Sequence, residues 1–129
     1  MRIIMKLVEM IDDELCGAKD YIKMAMRNHA DYPSLADTFA DLAEVEMGHV
    51  AKLHDEVVKL IEMVRQRDGE PPADMMAVYE YEHKKQIDKA SKIKQMIAEY
   101  RGEKKTGREA ILCRFFVSCD VSCSLIKTC

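Results

Sequence analysis

Glycine and proline are scarce in this chain, five and three residues of 129. That scarcity excludes a collagenous or low-complexity chain and argues against a turn-rich sandwich. Long apolar runs are missing too. None reaches the roughly 18 residues that would span a bilayer. The opening Met1-Arg2-Ile3-Ile4-Met5-Lys6 is interrupted by Lys6 and Glu9, so neither a secretory leader nor a membrane partner is expected. Positive charge is not in excess: 20 Lys and Arg face 23 Asp and Glu, a net charge of −3. This excludes a nucleic-acid partner bound by bulk positive charge. No C-x-x-C occurs, which leaves a rubredoxin-type or zinc-ribbon site without support. What is present is a 33% charged chain of single-domain length, suited to helices and expected in the cytoplasm.

The five cysteines are unevenly placed. Cys16 stands alone, whereas Cys113, Cys119, Cys123 and Cys129 crowd the end. A disulfide scaffold would spread them through the fold, and in a reducing cytosol they would be thiols. Charge divides at the same point: residues 1–102 are net acidic and residues 103–129 net basic. The expected organisation is a helical domain over 1–102 and a Cys-rich tail over 103–129.

Three helices follow from the apolar period. Ile4, Leu7, Ile11, Glu14, Ala18, Tyr21 and Ala25 recur at steps of three and four, which predicts an amphipathic helix over about residues 3–27. Asn28 to Pro33 reads as a turn, with Asp31 a candidate cap and Pro33 in the next first turn. Leu35, Phe39, Leu42, Glu46, His49, Leu53, Val57 and Leu60 continue the pattern to about Arg67. Asp68-Gly69-Glu70-Pro71-Pro72 breaks the chain. Met76, Glu80, His83, Ile87, Ala90, Ile93 and Ile97 mark a third helix ending near Gly102, a candidate cap. No strand pattern precedes residue 110. The fold class is therefore all-α, an antiparallel bundle of three main helices. The ten methionines are expected to fill gaps in the core. The lysines at 84, 85, 89, 92 and 94 are expected on a solvated face, and His29 and His54 in solvent.

Polar groups on these stripes carry the chemistry. Glu14, Glu46 and His49, and Glu80 and His83, sit among apolar neighbours. A buried carboxylate without a partner costs several kcal/mol or takes up a proton, so inward carboxylates call for a cation. Glu46-Met47-Gly48-His49 and Glu80-Tyr81-Glu82-His83 are both Glu-x-x-His. Residues three apart share a helix face, so one carboxylate and one imidazole can grip one ion. Carboxylate oxygen with imidazole nitrogen suits iron or manganese. Glu14 lies about as far before the first turn as Glu46 and His49 lie after it, so an antiparallel hairpin sets them level. Glu80 and His83 fall roughly 15 Å out of register if the second turn is a plain hairpin. The first two helices thus build a half-site that a twofold partner could complete, and whether Glu80 and His83 ligate or lie on a partly exposed face is open.

Glu14 with Ala18 and Tyr21, then Glu46-x-x-His49 after Phe39-x-x-Leu42-Ala43, resembles the first half of ferritin-like proteins, rubrerythrin in particular. The stretch Ala77 to His83 is similar to the start of the third helix of short rubrerythrin-like chains. The resemblance covers about residues 5–101. It implies a di-iron centre of the kind built from Glu and Glu-x-x-His groups in a helical bundle. In that picture Glu14 and Glu46 are carboxylate ligands, His49 a terminal ligand, and Tyr21 a hydrogen-bond donor behind them. The family's fourth helix with its own Glu-x-x-His is missing, since residues 103–129 contain no histidine. The rubredoxin domain of full rubrerythrins is missing too. In this the chain is similar to encapsulated ferritins, which assemble the site from two subunits. The resemblance therefore implies a homodimer or higher homo-oligomer that completes the bundle, and an iron or manganese protein acting as a ferroxidase or a rubrerythrin-like peroxidase. Turnover would draw electrons from an external donor. The alternative is a non-catalytic helical interaction module whose Glu and His groups only set register.

Overall fold

The computed structural model describes residues 2–103. They form α1 (Arg2–Asn28), α2 (Pro33–Asp68) and α3 (Ala73–Glu103). No strand occurs among the described residues, so the all-α expectation holds for them. The tail beyond residue 103, with Cys113, Cys119, Cys123 and Cys129, lies outside them.

Proline and glycine place the turns. A residue before proline is kept out of the helical region by the pyrrolidine ring. Tyr32 is accordingly the N-cap of α2, at φ −134° and ψ 66°, and Pro33 opens the helix. Asp31, the expected cap, lies one residue too early, and no side chain caps this end. Gly69 closes α2 at φ 86°, where its N–H donates to the Arg65 carbonyl at 3.1 Å. A left-handed residue here is the usual glycine role. Gly102 does not end α3, which continues to Glu103.

α1 and α2 are antiparallel and make the closest pair, while α3 leans mainly on α1. Alanines at 18, 25, 36, 40 and 43 are fully buried. Their small side chains let the helix backbones approach. Ile4, Val8, Ile11, Leu15 and Ile22 of α1 meet Val50, Val57 and Ile61 of α2 and Tyr79, Ile93, Ile97 and Tyr100 of α3 in one core. Burying each large side chain contributes about 1.5–3 kcal/mol relative to leaving it in water.

Polar ties set the register of α3. The Gln86 amide donates to the Val8 carbonyl at 2.9 Å, and Lys89 meets Asp12 at 2.7 Å. Further along α3, the Tyr100 hydroxyl donates to Asp37 at 2.6 Å. Arg101 grips Asp41 at 2.6 Å and Glu44 at 3.1 Å. α3 thus runs parallel to α1 and antiparallel to α2.

The core stripe of each helix in the α1/α2 pair is flanked by a second apolar stripe one residue earlier. On α1 it holds Ile3, Leu7, Met10, Tyr21 and Met24; on α2 it holds Leu35, Phe39, Leu42, Leu53 and Leu60. Ile3, Met10, Met24, Leu35 and Leu42 are exposed. The ring of Tyr21 packs against Phe39, centroids 6.2 Å apart, so both stripes face the same way. The sequence period had merged the two. Leu35 and Leu42, expected in the core, lie on the open face beside it.

Candidate metal centre

Glu14, Glu46 and His49 occupy the middle of that second stripe. Antiparallel packing of α1 on α2 brings them level, as the register predicts. His49 Nδ1 lies 3.3 Å from a carboxylate oxygen of Glu14 and 3.3 Å from one of Glu46. One ligand atom from each of the three lies within 4.8 Å of the other two. That spread is small enough for all three to touch one ion. The group sits at the edge of the open face, not inside the core. Glu14 and Glu46 side chains are 28% and 22% exposed, and His49 is 47% exposed.

A hydrogen bond couples the two carboxyls and drives them apart in acidity. The hydrogen bond to Glu14 holds the Glu46 carboxyl above its usual range, helped by burial and by the charge of Glu14. The same hydrogen bond, with support from His49, holds Glu14 below its usual range. Two carboxylates this close cannot both ionise without cost. A cation between them would relieve that repulsion.

Beside the cluster a shallow cleft opens, lined by Asp13, Gly17, Asp20 and Tyr21 with Glu14 and Glu46. A Cβ at Gly17 would stand 3.8 Å from the Glu46 carboxyl carbon, an ordinary contact, so Gly17 lies directly against the carboxylate. Sequence reasoning overlooked Gly17. Its signal was its place one turn after Glu14 on the same stripe. Tyr21 lines the cleft, yet among the described residues no hydrogen bond from its hydroxyl to a ligand is made; its ring is committed to Phe39.

Glu80 and His83 are not brought to this cluster. Glu80 is exposed. His83 is 7% exposed and stacks on His54, ring centroids 5.0 Å apart. The register explains this: α3 meets α2 at residue 54 and α1 at residue 8, well along the bundle from Glu46 and Glu14. His54, expected in solvent, is 4% exposed, because it belongs to the core stripe with Val50, Val57 and Ile61. His29 is half-buried, edge-on to Tyr100 at 5.6 Å. Cys16 is exposed and free.

No family model, curated protein or solved structure matches the chain. No helix among the described residues is long and apolar enough to cross a membrane.

Proposed function

We propose that this chain is a carboxylate–histidine metalloprotein of ferritin-like architecture, binding iron or manganese through Glu14, Glu46 and His49. One observation carries the reading: two carboxylates and an imidazole from two helices converge within 4.8 Å. The donor set fits the ion. Hard oxygens with one borderline nitrogen suit Fe(II), Fe(III) or Mn(II), and an ion between the carboxyls would take the place of the hydrogen bond that raises Glu46.

Three protein ligands make half of a two-ion centre. The exposed stripe of Met10, Met24, Leu35 and Leu42 surrounds them. An isologous contact between two copies along this stripe would cover apolar surface and set two half-sites face to face. The completed centre would oxidise Fe(II) with O2 or peroxide, as a ferroxidase or a rubrerythrin-like peroxidase. A bound iron pair supplies the redox chemistry. The residues would do the rest: Glu14 and Glu46 would hold the ion and offset its charge, His49 would be the third ligand, and the cleft beside Gly17 would admit a small oxidant. An external protein would supply electrons for turnover.

A second reading is favoured by the mutual contacts of the three groups, which satisfy one another without an ion. The cluster would then only fix register in a helical interaction module. Metal titration separates the two. The metalloprotein reading expects stoichiometric Fe(II) or Mn(II) uptake by calorimetry, lost in Glu46→Ala and His49→Ala, with near-ultraviolet absorbance rising when ferrous protein meets air. Equal loading by both variants and wild type would overturn the site.

A further inference from the structure

On the other side of the α1/α2 pair, α3 is held at two places of different chemistry. Its C-terminal end is gripped by Tyr100 and by the Arg101 ion pairs. Its N-terminal half is held by rings. His54 and His83 lie near-parallel, 16° apart in plane, and Tyr79 covers His83 at 5.5 Å. The two imidazoles line a cavity of about 10 Å³ with Ile11, Val50, Gln86 and Ala90. The Nε2 of His54 is buried with no hydrogen-bond partner among the described residues.

A neutral imidazole tolerates such a pocket, and an imidazolium does not, because charge in an apolar site must be paired. For His54 no paired carboxylate is at hand: on α2, Asp55 is exposed, and its charge offsets the burial only in part. On α1, Glu9 is exposed and paired with Lys6, and Asp12 is held by Lys89. On α3, Glu82 is held by Lys85, and Lys84 adds a positive charge. Two stacked imidazolium rings would also repel.

We infer that His54, stacked on His83, is an acid-operated latch: its neutral ring holds residues 73–90 on the α1/α2 pair, and proton uptake at His54 releases them. Burial, and then His83, holds His54 below the usual histidine range. The released state therefore binds the proton more readily. Docking is at full strength above the ordinary histidine range, near 6.5, and weakens as pH falls through it towards the depressed folded value. The ion pairs of Arg101 with Asp41 and Glu44 involve no histidine, so release is confined to the N-terminal half.

Hydrogen exchange on the full metal-free chain tests this, corrected for intrinsic rates. Protection of residues 79–90 should fall at least about tenfold between about pH 7 and about pH 5, while residues 93–102 keep most of theirs. His54→Phe keeps a ring without a proton site and should abolish the fall; His29→Ala should retain it. In wild type, the His54 ring should titrate by NMR below the ordinary histidine range. The same fall in His54→Phe, or a His54 titration at or above that range, overturns the latch. If His54→Phe fails to fold, the wild-type titration decides. No metal enters the experiment, so failure of metal loading would leave this result intact.

Discussion

At the residue scale the hydrogen bond between the Glu14 and Glu46 carboxyls decides how the cluster responds to pH. Glu46 is raised by its contact with Glu14. Its neutral form therefore stabilises the metal-free protein below the unfolded carboxylate range, and that contribution is lost as pH rises through the folded value. Glu14 is lowered, and its contribution runs the other way, lost as pH falls through its folded value. Glutamine at 46 keeps the neutral shape and removes the penalty. Glu46→Gln should melt no lower than wild type at neutral pH when both are metal-free, and should bind Fe(II) more than about tenfold more weakly, since even groups behind the ligands cost 10–100-fold. Paired thermal melts and titrations check both halves; a variant that binds normally would remove Glu46 from the ligand set. At the far end of the bundle, the Tyr100 hydroxyl donates to the Asp37 carboxylate in a partly buried setting. Tyr100→Phe should cost about 1.5–3 kcal/mol in denaturant unfolding, the range for a hydrogen bond to a charged acceptor.

At the element scale each helix of the α1/α2 pair carries two adjacent apolar stripes, and substitutions on them should behave differently. Ile22 is fully buried, and Ile22→Ala should destabilise the fold by about 2–5 kcal/mol. Leu42 is 36% exposed on the open face. Leu42→Lys should shift chemical unfolding of the monomer by no more than about 0.5 kcal/mol while abolishing self-association in analytical ultracentrifugation. A large loss of monomer stability in Leu42→Lys would mean the stripe is core. This doubling marks where sequence reading stops. Pro33, Gly69 and the Pro71-Pro72 pair punctuate the chain, so three helices and their turns are legible. Glu46-x-x-His49 and the level Glu14 are legible because a hairpin register needs only residue counting. Two stripes offset by one residue share the same three-four spacing, so the period cannot say which one meets α3. For that reason Leu42 was read as core and His54 as solvated, and Glu80-x-x-His83 looked like a ligand pair although its register places it elsewhere.

At the scale of the whole molecule, the hairpin has one face covered by α3 and one open, with Glu14, Glu46 and His49 on the open one. In the proposed function, a three-helix chain with this cluster would be half of a symmetric arrangement. Metal and assembly should therefore be linked: ion binding to the paired state stabilises it by mass action. Adding Mn(II) should raise both the melting temperature and the dimer fraction, and a chelator should reverse both. The most direct test is a crystal of the iron-loaded protein with anomalous data at the iron edge. The account predicts density among Glu14, Glu46 and His49, with the same three groups of a second copy facing it. Iron bound elsewhere, or no iron with those three side chains still packed against one another, would contradict it.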